Sequence, residues 1–369
     1  MSDSVSNMHI CLVGPIPPPA GGMANQTRQL KALLQQDGAT VELVAVNAPY
    51  RPAFAGRIVG LRALFRLIPY IINLYQAVGR AQVVHIMANS GWSWHLFAAP
   101  AIWLSYLRRK PVIVNYRGGH AETFFAASWR KVHFSLRRAS AVLVPSAFLQ
   151  QVFASYDQPS AIVPNVLDHT LFYPAAEPKA EPVTTPHFIV TRNLEAIYDV
   201  ATALKAFELV YQRYPQARLT IAGTGPLLAQ LQQQVQHAGL TQAVSFAGRL
   251  DTTQMAELYR SADIMLNTSL VDNSPNSVIE AMACGVPVIS TNVGGIPRLV
   301  TDKTDALLTE PGDYQAMFTY ALQLLTSSAL RQHLVQNGLL NSSRFHWHIV
   351  GRQLAGHYNT AIRSMEHPA

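Results

Sequence analysis

Residues Asp272–Val288 read DNSPNSVIEAMACGVPV, and the class of fold turns on this stretch. Ser274–Pro275 predicts a helix start, because proline's missing N–H is no loss in a first turn. The open amides of that turn, around Pro275, Asn276 and Ser277, carry partial positive charge and suit a diphosphate. Glu280 falls one or two turns into the helix, where its carboxylate can accept hydrogen bonds from vicinal ribose hydroxyls. Asp272 lies on the loop before it, placed to take hydroxyls of a sugar. A capped helix bearing one solvent-facing carboxylate has the same spacing, so the motif by itself leaves both readings open.

Outward from this motif, short apolar runs alternate with stretches long enough for helices. Val286–Ser290 follows it, and Ile264–Asn267, Val244–Phe246, Arg218–Ala222 and Phe188–Val190 precede it. The first half repeats the pattern at Met8–Val13, Val41–Val46, Val83–Met87, Val112–Tyr116 and Ala141–Pro145. Strand–helix alternation predicts parallel sheets with right-handed crossovers, an α/β chain with two doubly wound units. Pro174–Pro186 holds four prolines and no apolar period, which marks a linker. The expected division is residues 1–175, a linker at 176–186, residues 187–347, and a closing helix over 348–369 with Ile349, Leu354, Tyr358 and Ile362 on its apolar side. A chain of 369 residues suits two domains.

Charge is placed unevenly. Residues 1–180 carry 16 lysines and arginines against seven acids, whereas residues 181–369 carry 12 against 14. The basic first half predicts an anionic partner. Nucleic acid is not supported, since no basic patch interleaved with stacking aromatics is present. Arg51–Arg80 sets Arg57, Arg62 and Arg66 among Ile58, Leu61, Leu64, Phe65, Ile68 and Ile71. It reads equally as a membrane-surface helix or as a core-facing helix with solvated arginines. Gly91–Leu107 has three tryptophans and no Asp, Glu, Lys or Arg, but is too short to span a bilayer, so a buried or interfacial helix is expected. Cys11 and Cys284 are far apart in apolar runs and predict buried free thiols. Met1–Asn7 is polar and Met8–Val13 too short for a secretory signal, which predicts a cytoplasmic protein. Gly14–Met23 (GPIPPPAGGM) is not a dinucleotide fingerprint, so NAD and FAD are not expected. Its Gly21 and Gly22 allow backbone to approach donor phosphates or sugar.

Asp272–Val288 resembles the signature of family-four retaining glycosyltransferases, two acids separated by seven residues and followed by an EAMACGVPVI-like run. Ala222–Pro226 (AGTGP), Val244–Gly248 (VSFAG), Glu257–Ile264 (ELYRSADI), Thr291–Pro297 (TNVGGIP), Val144–Leu149 (VPSAFL) and Val163–Pro174 (VPNVLDHTLFYP) resemble the same family in order. The resemblance implies the GT-B architecture, two facing Rossmann-like domains with the active site in the cleft between them. Gly223 then joins the donor-binding set. Arg192 matches the arginine that neutralises the departing diphosphate. Tyr198 stands where a lysine is usual and supplies no charge, with Lys205 the nearest alternative cation. In Val112–Phe125 (VIVNYRGGHAETFF), Arg117 occupies the usual histidine slot. His120 is a candidate for the transferred sugar and Glu122 for the acceptor hydroxyl, and Arg117 is placed to hold an acceptor phosphate.

The resemblance implies retaining transfer of a hexosyl unit from a nucleoside diphosphate sugar to a glycan or lipid-linked acceptor, as in surface polysaccharide biosynthesis. Arg192, Glu280, Asp272 and His120 would act in catalysis. No cofactor and no metal are expected, there being no Asp-x-Asp pair. The basic first half would rest peripherally on the inner face of the cell membrane. A sugar-nucleotide epimerase and a catalytically silent nucleotide-sugar-binding protein are the rival readings.

Overall fold

A computed structural model describes residues 4–17, 22–48, 62–176 and 183–366. Gly21, Arg57, Ile58, Leu61 and most of the 176–186 linker lie outside the described residues. Buried apolar runs cannot face water, so they form parallel strands covered by helices on both faces.

The chain divides into two units, residues 1–166 with 347–369, and residues 167–346. In the first unit β1 (His9–Gly14), α1 (Gly22–Gln36), β2 (Thr40–Ala45), α2 (Arg62–Arg80) and β3 (Val83–Ala88) come in turn. A π-helical turn (Trp94–Ala98), α3 (Ala99–Leu107), β4 (Val112–Tyr116), α4 (Ala121–Leu136), β5 (Ala141–Val144), α5 (Ala147–Ala154) and β6 (Ala161–Ile162) complete its first pass. All neighbouring strands run parallel in the order β2-β1-β3-β4-β5-β6. Along β4, Val112, Val114 and Tyr116 enter one core and Ile113 the other, as a side-chain period of two requires.

The second unit contains β7 (His187–Val190), α6 (Val200–Arg213), β8 (Arg218–Ala222), α7 (Leu228–His237), β9 (Val244–Gly248) and α8 (Thr252–Ser261). It continues with β10 (Ile264–Asn267), α9 (Asn276–Ala283), β11 (Val288–Thr291), α10 (Ile296–Leu299), β12 (Leu307–Thr309), α11 (Tyr314–Thr326) and α12 (Ser328–Ser343). Its parallel order is β12-β11-β10-β7-β8-β9. Counted within the unit, that is the 6-5-4-1-2-3 arrangement of a Rossmann sheet, and the order reverses between β7 and β10. The edge strands β6 and β12, two and three residues long, are not among the apolar runs identified from sequence.

The division differs from the expected one. Leu167–Pro174 belongs to the second unit, where Leu167 N donates to Phe345 O at 2.8 Å and Phe172 packs in a core with Ile189 and Tyr259. These two apolar anchors outweigh the proline content of the neighbouring linker. The last helix, α13 (Trp347–Glu366), belongs to the first unit, as expected of a closing helix. It buries Val350, Leu354, Ala355, Tyr358 and Ala361, while Ile349 and Ile362 are only partly covered.

Candidate functional site

In open parallel sheets, ligands bind beyond the carboxyl ends of strands where the order reverses. In the second unit those strands are β7 and β10, which pair in parallel with Phe188 opposite Ile264. Arg192 follows β7, and the Asp272 loop follows β10. Topology alone therefore brings together residues 80 positions apart in sequence.

The Arg192 guanidinium is ion-paired with Asp272 and donates to Ser269 Oγ at 3.2 Å and to Ser277 Oγ at 3.3 Å. Its flat face lies over the Tyr198 ring, 4.3 Å from the centroid. Its Nε is buried without a hydrogen-bond partner among the described residues. Burial lowers the Arg192 pKa, against the electrostatic support of Tyr198, Tyr259 and Glu280. Tyr198 ends a single 3-10 turn, Ala196–Tyr198, held because Thr268 Oγ1 donates to its carbonyl at 2.8 Å. The tyrosine in the lysine slot thus stacks on the arginine and contributes its quadrupole in place of a second charge.

Pro275 caps α9 with φ −67°, and Asn276 is its first residue, as the Ser274–Pro275 reading predicted. Glu280, in the second turn, accepts from Tyr259 Oη at 3.1 Å. Tyr259 in turn lies 2.9 Å from Thr191 Oγ1. Burial raises the Glu280 pKa to about 7, opposed by the Tyr259 hydrogen bond and the Arg192 charge. Asp272 Oδ1 accepts from Asn273 N at 2.9 Å, so this carboxylate is held by its own loop as well as by Arg192. It is engaged by a protein cation, where the sequence placed it on sugar hydroxyls.

Glycines let the site loops approach one another. A Cβ at Gly223 would overlap the Arg192 carbonyl oxygen, and one at Gly295 would overlap that of Asn273. Gly295 N also donates to Asp272 O at 3.0 Å. The AGTGP and TNVGGIP loops are therefore clamps on the two charged loops. Lys205 lies on α6 with its ammonium 5.6 Å from the Tyr314 centroid and does not join the Arg192 cluster. Tyr259 and Ser269 are members that the sequence reading missed. Tyr259 lies within the ELYRSADI segment, but no local signal ties its hydroxyl to Glu280, which sits 21 positions further on in another helix.

In the first unit Gly22 opens α1, and a Cβ there would meet nothing within 4 Å. His120 caps α4 without a side-chain hydrogen bond to it and is exposed, as is Glu122 in the first turn. Arg117 instead turns inward and donates to three amide oxygens, of Asn115 (3.1 Å), Gln26 and Asn165. Burial lowers its pKa to about 10, so it stays cationic at neutral pH. With Gln26, Gln29 and Asn115 it lines a small concavity beside α13. Behind it Asn115 Nδ2 contacts His85 Nε2 at 3.2 Å, and His85 Nδ1 contacts Tyr358 Oη at 2.8 Å. Asn115 Oδ1 already accepts from Arg117, so its Nδ2 donates to Nε2 and His85 carries its proton on Nδ1. Burial, with the Arg117 charge, lowers the His85 pKa to about 3 and keeps the ring neutral.

Residues 20–171 match the family described as Glycosyltransferase Family 4, and residues 175–340 match Glycosyl transferases group 1. The chain is 32% identical over 142 residues to N-acetyl-alpha-D-glucosaminyl L-malate synthase of Bacillus anthracis, covering 38% of this chain and 36% of that one. It is 26% identical over 211 residues to a D-inositol 3-phosphate glycosyltransferase of an Arthrobacter species, covering 54% and 50%. It thus spans half or less of the length of these two curated relatives. Among solved structures, Anabaena HepE in complex with UDP and glucose is similar with a TM-score of 0.73 at 19% identity, covering 95% of this chain and 99% of that one. Sucrose-phosphate synthase from Thermosynechococcus elongatus gives 0.72 at 20% identity, covering 95% and 98%. The fold shared with these structures is GT-B, built from two Rossmann-like domains.

Proposed function

This chain belongs to the group 1 glycosyltransferases of family four, and on that premise we propose that it transfers a hexosyl unit, with retention, from a nucleoside diphosphate sugar to a glycan or lipid-linked acceptor. The observation that carries this reading is the cluster at the ends of β7 and β10, where Arg192, Asp272, Glu280 and the first turn of α9 converge. In the proposed reaction the diphosphate lies on the α9 amides, and Glu280 accepts from the ribose hydroxyls. As the bond from the anomeric carbon to the phosphate oxygen breaks, charge grows on the diphosphate, and Arg192 stabilises it. The acceptor oxygen attacks the same face while its proton passes to the leaving phosphate oxygen. His120 and Glu122 are proposed for the sugar and acceptor, and no metal is required because the arginine and amides meet the charge. The UDP complexes of HepE support a nucleotide-sugar donor and make UDP-glucose the first to test. The setting proposed is surface polysaccharide assembly at the inner face of the cell membrane.

The ion pair favours one second reading, a nucleotide-sugar-binding protein without turnover, because a cation already compensated by Asp272 offers less to a leaving group. A panel of nucleotide sugars screened by thermal shift identifies the donor, since a bound ligand stabilises by mass action. Acceptor-dependent release of nucleoside diphosphate would support the transferase. Binding without turnover would establish the second reading, and acceptor-independent isomerisation of the donor would point to an epimerase.

A further inference from the structure

The helix α2 carries two apolar stripes. Tyr70, Leu74, Ala77 and Val78 are buried in the core. Ile68, Ile71, Ile72 and Tyr75 form a second stripe at i, i+3, i+4 and i+7, and all four are exposed. A helix in a soluble unit needs only the first. The second continues sideways onto two neighbouring helices. The Arg108 guanidinium, just past α3, sits 4.1 Å from the Tyr75 ring centroid and donates to Tyr75 O at 3.1 Å. Beside it Tyr106 is 52% and Leu107 71% exposed. Arg138, just past α4, covers Trp103 at 3.6 Å and Phe134 at 4.7 Å, and Phe134 is 49% exposed. These contacts join the three helices into one face of aliphatic and aromatic side chains with arginines set among them.

Its cations gather at the ends of α3 and α4, where Arg108, Arg109, Arg137 and Arg138 lie, whereas Arg80 at the end of α2 is paired with Glu42. Among the described residues no helix is long and apolar enough to cross a membrane, so this face does not belong to a spanning segment. Exposed apolar surface of this extent marks an interaction site. The particular mixture suits an anionic interface: aromatics settle at headgroup level, aliphatic side chains reach the acyl boundary, and arginines meet lipid phosphates while their stems stay on apolar surface.

We propose that the face formed by the exposed stripe of α2 and the ends of α3 and α4 docks the first unit onto a bilayer surface of anionic phospholipid. This deepens the membrane setting proposed above by naming the surface that would make the contact, and its test is independent of the transferase reading, because docking requires neither donor nor turnover.

The test is flotation of the full chain with vesicles of phosphatidylcholine, with and without phosphatidylglycerol. Binding is expected only to the anionic vesicles and should weaken steeply with added salt. One variant, Ile72→Asp with Leu107→Asp, removes apolar insertion. A second, Arg109→Glu with Arg137→Glu, reverses charge at two exposed positions. Each is expected to weaken vesicle binding by at least about tenfold. All four positions are exposed, so an unchanged melting temperature should accompany the loss. Binding equal on both vesicle types, no binding to either, or binding unchanged in both variants would overturn the proposal. So would light scattering that shows a wild-type dimer made monomeric by the aspartate variant, which would assign the face to a second copy of the chain.

Discussion

Arg192 is the residue on which the candidate site is built, and its surroundings are matched to a planar, forked cation. Ser269, Ser277 and Asp272 receive its N–H groups in one plane while Tyr198 covers that plane. A lysine ammonium can satisfy a point charge but neither the fork nor the stack. Arg192→Lys is therefore expected to lower donor turnover by about 100-fold, the scale of losing a fixed electrostatic donor. Steady-state assay with the identified donor checks this, and wild-type turnover would remove Arg192 from the chemistry. Glu280 makes a pH-dependent prediction. Its folded value, about 7, lies above its ordinary value of 4.5, so the folded state holds the proton more tightly. The stability from this group is complete below about pH 4.5 and is lost as pH rises through about 7. Glu280→Gln should abolish activity while leaving the fold intact. Its Tm, compared with wild type, should rise between about pH 5 and about pH 8, by roughly 2–4 °C per kcal/mol of relieved burial. A constant Tm difference across that range would place the carboxylate in solvent.

At the scale of elements, the site depends on loops that touch backbone to backbone. Gly295 donates to Asp272 O, and its missing Cβ leaves room for the Asn273 carbonyl. Gly295→Ala should push the Asp272 loop off its seat, costing about 2 kcal/mol or more by analogy with other overpacked sites. Donor binding measured by thermal shift should disappear with it. Gly356 is the contrasting case. It sits inside α13, and a Cβ there meets nothing within 4 Å. Gly356→Ala should stabilise by about 0.5–1 kcal/mol, because alanine forfeits less backbone entropy in a helix. A denaturation midpoint lower than wild type in that variant would contradict the open space seen around it.

At the scale of the molecule, the first unit is assembled from both ends of the chain. Residues 347–369 return to it, and α13 contributes Val350, Leu354 and Tyr358 to the core over β1, β3 and β4. A chain ending at His346 should lose one of two calorimetric transitions and keep that of the second unit. Survival of both would show that the first unit closes without α13. A milder change, Tyr358→Phe, removes the hydroxyl from the buried Tyr358–His85–Asn115–Arg117 series. It should lower the first unit's stability by about 1–2 kcal/mol, the cost of an unpaired buried imidazole N–H.

Much of this was legible in the residues themselves. Strand identity follows from apolar runs such as Val83–Met87 and Val112–Tyr116, because burial on both faces demands continuous hydrophobicity. The α9 start follows from Ser274–Pro275, because proline's geometry is local. The short edges β6 and β12 were not legible, since two or three residues carry no period. Nor was the division at Leu167, which rests on Leu167 and Phe172 finding partners far along the chain. The sequence alone determined the two parallel units, the helix that carries Glu280 and the acids eight positions apart, all of them products of local pattern. Only the tertiary structure decided that Asp272 is engaged by Arg192, that Tyr198 stacks on that arginine, and that Arg117 turns inward. Those outcomes depend on which strand ends lie side by side, and that is set by the order of strands across a sheet rather than along the chain.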